Sequence, residues 1–181
     1  MESLKYKNAT LINNKHPKKP ANVEIINHVY SSNPIVSDNV FLIDQNIICL
    51  PNVCSLNGVF IQNPKIQQQI YLDELFDCIA LGIIGKQQKE TYLFGAHIYI
   101  SILEDQLANI FNQFKKKEII PEKIFYSPRF DSEDKELGKD YLEKQLNKPI
   151  QQITRHNNTE SLCKLSLEKI ILNDKIISWD N

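Results

Sequence analysis

The stretch CIALGIIGKQQKETYLFGAHIYIS, residues 78–101, decides how this chain folds. Two apolar runs rich in β-branched and aromatic residues flank the polar segment KQQKE, which predicts two paired, mostly buried strands joined by a short turn. Downstream, Leu103, Leu107, Ile110, Phe111 and Phe114 recur at helical spacing. Glu104 and Asp105 stand in the first turn and Lys115, Lys116 and Lys117 in the last, an order that suits the helix dipole and accounts for the basic end without a ligand. KIFYS (123–127) reads as a strand, and Leu137, Tyr141, Leu142, Gln145 and Leu146 as one face of a second helix that stops before Pro149. IQQITRH (150–156) reads as a strand, and LEKIIL and KIISW around Asn173–Asp174 as a closing hairpin.

Upstream of residue 78 the runs are short and β-rich: VEIINHVY (23–30), VFLID (40–44) paired with IICL (47–50), GVFIQ (58–62) and IYL (70–72). Residues 1–20 are polar and aperiodic and read as a flexible tail, leaving 21–181 as a single domain. The order of elements predicts a mixed α+β fold, with two helices packed on largely antiparallel sheets.

Composition narrows the function classes. The 181 residues are 42% hydrophobic and 24% charged, ordinary globular values, and a formal net charge of −1 gives no general attraction for nucleic acid. No run approaches the length of a membrane span, and the N-terminal residues lack the apolar core of a secretory signal, so no membrane insertion and a cytoplasmic setting are expected. Cys49, Cys54, Cys78 and Cys163 are irregularly spaced without a C-x-x-C pair, which argues for reduced thiols and against zinc. Neither a metal nor a cofactor is expected. Phosphate-cradling glycine loops, G-x-S-x-G and H-E-x-x-H are absent.

Two residues in the central stretch carry chemistry. Cys78 starts the first strand, and His97 lies in the second, two positions after Gly95. Across a short turn the hairpin can bring them to one end or one face, where an imidazole generates the thiolate and later protonates a leaving amine. The loop before a strand start can also aim backbone N–H groups at an oxyanion. The same two residues equally suit a packed core, because buried cysteine behaves as a small apolar group and strand histidines are commonly core side chains.

From Cys78 to the C-terminus the chain resembles the chemoreceptor glutamine deamidases of the CheD type, and through them the Cys–His deamidase fold shared with cytotoxic-necrotizing-factor-type toxins. The matching pieces are CIALGIIG, KQQKE, TYLFGAH, the helix after Glu104, KIFYS, the helix around Tyr141, IQQITRH and LEKIILNDKIISW. The resemblance rests on element order more than on identities. It implies hydrolysis of a glutamine side-chain amide through a thioester on Cys78, with His97 as acid and base and N–H groups around Phe76 and Asp77 holding the oxyanion. It further implies a protein substrate, and a protein that works in the cytoplasm or, as a bacterial effector, in a host cytosol. Where the family commonly has Gly-Ser before the cysteine, this chain has Phe76-Asp77, and Leu72 stands where a threonine often orients the histidine. Tyr71 or Asp73, one residue to either side, is expected to take that part. Transglutamination and peptide cleavage would use the same pair. The alternative is a non-catalytic protein-binding module that keeps the fold.

Overall fold

The computed structural model describes residues 10–12, 19–27, 40–43, 46–51, 57–73, 75, 78–99, 103–129, 135–147, 149–155 and 162–179. Among them the elements run β1 (Thr10–Ile12), β2 (Val23–Asn27), β3 (Val40–Leu42), β4 (Ile47–Pro51), β5 (Asn57–Gln62), β6 (Gln69–Asp73), β7 (Ile79–Gln87), β8 (Glu90–Ile98), α1 (Leu103–Lys116), β9 (Ile120–Ser127), α2 (Lys135–Leu146), β10 (Gln151–Gln152), β11 (Cys163–Leu165), β12 (Ile170–Leu172) and β13 (Lys175–Ile177). The fold is α+β, with two helices and two largely antiparallel sheets. One sheet is ordered β1-β3-β4-β6-β11-β12-β13 and the other β10-β9-β7-β8-β5-β2. The β4–β6 and β9–β10 pairings are parallel.

The central hairpin is the spine of the second sheet. β7 and β8 pair from Gln87↔Glu90 back to Ile79↔Ile98, which leaves Gln88–Lys89 as a two-residue turn. Gln88 has φ 54°, the positive angle that a tight hairpin turn requires at its first central position. Because side chains alternate across a strand, the hairpin feeds two cores. Ile79, Leu81, Ile83, Phe94, Ala96 and Ile98 pack against Leu103, Leu107, Ile110 and Phe114 of α1. Ala80, Ile84 and Leu93 pack on the other side, against Ile48, Leu50, Ile70, Leu72, Leu165 and Trp179. Burial on both faces explains why the two runs are continuously apolar rather than alternating.

Gly82 and Gly95 face each other in the register and form a flat spot between the sheets. A Cβ on Gly82 would lie 2.9 Å from Leu165 Cδ2, and one on Gly95 would lie 2.8 Å from Ile70 Cγ2. Omitting these two side chains lets β6 and β11 approach the backbone of the hairpin.

Helix α1 is closed two residues past its end by Glu118, φ 54°, with the N–H of Ile119 donating to the carbonyl of Phe114 at 2.9 Å, a left-handed C-terminal cap. The closing hairpin turns on Asn173 (φ 48°) and Asp174 (φ 64°), as expected for a two-residue turn with both central angles positive.

Two expectations need correction. Thr10–Ile12, inside the segment read as a polar tail, is a strand that pairs with β3. Its three residues are too few to show a periodicity, and sheet pairing defines them. In α2, the sequence pattern puts Leu137 on the packed face, whereas the residue is 45% exposed. The helix approaches the sheet through Gly138 instead, where any Cβ would collide with the Tyr126 hydroxyl.

Candidate active site at the start of the central hairpin

Ala80 and His97 stand directly opposite in the β7–β8 register, so both side chains point between the sheets. Cys78, the residue preceding β7, packs in the same inter-sheet cluster as Ala80. Thiol and imidazole therefore occupy one face of the hairpin, one step apart on the diagonal. Both are sealed: Cys78 is 2% exposed and His97 0%.

The Nε2 atom of His97 lies 2.8 Å from the carbonyl oxygen of Leu50, at the end of β4. A carbonyl only accepts, so Nε2 carries the hydrogen and the lone pair of the neutral ring sits on Nδ1. Nδ1 has no hydrogen-bond partner among the described residues. Burial lowers the His97 pKa to about 4; the Leu50 carbonyl opposes this, Arg155 reinforces it and Asp73 opposes it. The ring is neutral at physiological pH, the state a general base needs.

The backbone carbonyl of Leu50 thus takes the orienting part expected of Tyr71 or Asp73. Tyr71 is carried to the outer face of its sheet: its strand neighbours Ile70 and Leu72 point into the core, while its own ring lies under the Lys164 ammonium at 5.0 Å. Period-two alternation makes Tyr71 unable to reach His97. Asp73 is buried at the end of β6 and acts on His97 electrostatically, favouring its protonated form. Phe76 and Asp77, the expected oxyanion positions, lie outside the described residues, as do Cys54, His16, His28 and His156.

Sequence reading passed over Arg155. Its Nη1 donates to the carbonyl of Leu75 and its Nη2 to the carbonyl of Cys78, and the residue is 4% exposed. The guanidinium therefore binds the main chain at both Leu75 and Cys78, just ahead of β7. Only its nearness in space marks it, since in the sequence it is one cation in the run IQQITRH.

Cys49 and Cys163 are buried and not disulfide-bonded. Cys163, on β11 opposite Leu72, has its thiol pushed well up by burial, with Arg155 pulling weakly the other way. Such a thiol stays protonated. Among the described residues no three His, Cys, Asp or Glu side chains are grouped to hold a metal ion, and no helix is long and apolar enough to cross a membrane.

A cavity of ≈ 370 Å³ opens elsewhere, lined by Lys19, Glu24, Phe60, Gln62, Tyr92 and Lys117 among others. Phe60 and Tyr92 belong to the core on the helix side of the sheet, so this cavity is separated from His97 by the sheet itself. Comparison with protein-family models, curated proteins and solved structures finds no match to this chain.

Proposed function

We propose that the protein is a thiol-dependent amidohydrolase that converts a protein glutamine side chain to glutamate. The observation that supports this reading is the fixed orientation of His97, whose Nε2–H is held by the Leu50 carbonyl while Nδ1 keeps its lone pair without a hydrogen-bond partner among the described residues, on the hairpin face that also carries Cys78. In the reaction, Nδ1 takes the Cys78 proton and the sulfur attacks the amide carbon. The tetrahedral intermediate collapses to a thioester as the imidazolium gives its proton to the departing ammonia. Water, deprotonated by the same Nδ1, then attacks the thioester; glutamate leaves and Cys78 regains its proton. The chemistry needs a reduced thiol, which fits a cytosol, of the producing cell or of a host.

With Cys78 and His97 both sealed, catalysis requires the substrate to meet a conformation in which the sulfur is reachable. That burial favours the second reading, a non-catalytic protein-binding module in which the pair is core. The two separate in one experiment. Full-length protein is incubated with glutamine-bearing candidate proteins and the products are mapped by mass spectrometry; the deamidase yields glutamate at defined positions and loses this on Cys78→Ala. Conversion at an equal rate by Cys78→Ala overturns the proposal.

A further inference from the structure

We infer that Arg155 is a positioning residue for Cys78, tying the Cys78 carbonyl to that of Leu75 and supplying the positive charge that stabilises the Cys78 thiolate. The inference rests on the reading of Cys78 as nucleophile, and it concerns a residue which that reading does not require.

The geometry is specific. After β10, the chain continues as a ladder beside β9: the N–H of Ile153 donates to the carbonyl of Tyr126 at 3.0 Å, the Ser127 hydroxyl to the carbonyl of Ile153 at 2.7 Å, and the N–H of Arg155 to the carbonyl of Pro128 at 3.0 Å. A parallel bridge between Arg129 and Arg155 extends this pairing past the ends of the named strands. The Arg155 backbone is thus anchored to β9, which itself pairs along β7 as far as Ala80↔Ser127. From that anchor the guanidinium reaches the carbonyls of Leu75 and Cys78. A planar fork with fixed N–H directions ties the two carbonyls at a set separation, which a lysine ammonium cannot do.

Charge is the second part. A hydrogen bond to the carbonyl of Cys78 puts a permanent cation within about 7 Å of that residue's own sulfur by covalent geometry alone. The field is felt by other buried groups nearby, since Arg155 disfavours protonation of His97 and favours ionisation of Cys163. The titratable and charged groups around the position include, among the described residues, His97 from β8, Asp73 from β6, Cys163 from β11, Arg129 bridged to Arg155 after β9, and Arg155 itself. His97 is neutral, and Arg155, whose guanidinium binds the Cys78 carbonyl itself, is the cation placed to favour a thiolate. A buried arginine whose two nitrogens bind the carbonyls of Leu75 and Cys78 is an expensive way to fill a core, because the ion must be desolvated.

The test reads the thiolate directly. The ultraviolet absorbance of cysteine thiolate is titrated in the full chain, and subtracting the Cys78→Ser titration isolates Cys78. Arg155→Gln, which keeps a donor and loses the charge, is expected to raise the ionisation midpoint of Cys78 by about 1–3 pH units, while Arg155→Lys restores at least part of the difference. A midpoint unchanged in Arg155→Gln, or one in Arg155→Lys as high as in Arg155→Gln, overturns the inference and leaves Arg155 a packing group. Should Arg155→Gln not fold, the wild-type chain decides: Cys78 must ionise at lower pH than Cys163, isolated in the same way with Cys163→Ser, and the reverse order overturns the inference. None of these readings uses a substrate, so a failed search for deamidation refutes the proposed function without touching this result, and an active enzyme with an unmoved midpoint does the opposite.

Discussion

Protonation of His97 should destabilise the protein, and the size of the effect follows from its surroundings. In the unfolded chain the ring titrates near 6.5, whereas burial holds it at about 4 in the fold. Between those values the unfolded chain binds a proton that the native state refuses, so stability is complete above pH 6.5, falls as the pH drops, and levels off below about 4. At about 1.4 kcal/mol per pH unit the whole window amounts to about 3 kcal/mol, and the part between pH 6.5 and 4.5 to about 2–3 kcal/mol. No solvent discount applies, because the ring is 0% exposed. Trp179, the one tryptophan of the chain, lies buried in the same inter-sheet core and reports unfolding by its fluorescence. Urea titrations of wild type at pH 7 and pH 4.5 are compared with those of His97→Gln, whose amide N–H can still donate to the Leu50 carbonyl but cannot be charged. Subtraction removes the contribution of Asp73 and the other carboxylates, and of His16, His28 and His156. Wild type should lose about 2–3 kcal/mol more than the variant between the two conditions. Equal losses, or an imidazole resonance of His97 titrating near pH 6.5, would refute the sealed, neutral histidine and with it the argument that Nδ1 is a ready base.

Gly82→Ala should lower the melting temperature by about 2–12 °C, because overpacking costs about 1–3 kcal/mol and each kcal/mol is worth about 2–4 °C in a chain of this size. The new methyl meets Leu165 and Trp179, whose indole N–H is pinned to the Ser166 carbonyl at 2.8 Å, and calorimetry of Gly82→Ala/Leu165→Ala should find a loss smaller than the two single losses combined. Glu118→Gly should raise stability by about 1 kcal/mol in urea titration, since an exposed residue at φ 54° carries a left-handed penalty that glycine escapes. Cys163→Ala should retain any glutamine-converting activity in the mass-spectrometric assay that Cys78→Ala abolishes, because the Cys163 thiol is held protonated by burial.

The parts of this fold that could be read ahead are those in which one residue's position repeats the information of its neighbours. In 78–101 each strand offers many apolar positions and the turn is polar, so an error at any one residue changes nothing. The helix at Leu103–Phe114 and the hairpin at Asn173–Asp174 are redundant in the same way, through periodicity and through two turn residues suited to positive φ. What escaped was carried by single contacts. β1 is three residues whose only evidence is a partner strand. The His97 acceptor is a main-chain carbonyl, which every residue possesses, so no side chain at Leu50 could announce it. Strand alternation turns Tyr71 away from the core that Ile70 and Leu72 face, but it treats Asp73 alike, so it could not choose between the two.

The placement of buried polar groups separates Cys78 from its fellow cysteines more sharply than burial does. All three described cysteines are sealed, and for a thiol acting as a small hydrophobe the best neighbours are apolar. Cys163 can be read that way: it sits within a sheet between Leu72 and Leu172, and the consequence is a thiol that resists ionisation. The turn at Cys78 is different. An arginine binds its carbonyl, a histidine with an open acceptor nitrogen shares its face, and a carboxylate lies close enough to act on that histidine. Burying these groups costs free energy that aliphatic side chains of similar volume would not. Stability alone would favour replacing them, and their concentration at the start of β7 is what sets Cys78 apart from Cys163. The flat Gly82–Gly95 pair fits the same logic, since a side chain at either position would push β6 and β11 away from the hairpin whose histidine must reach across to the Leu50 carbonyl.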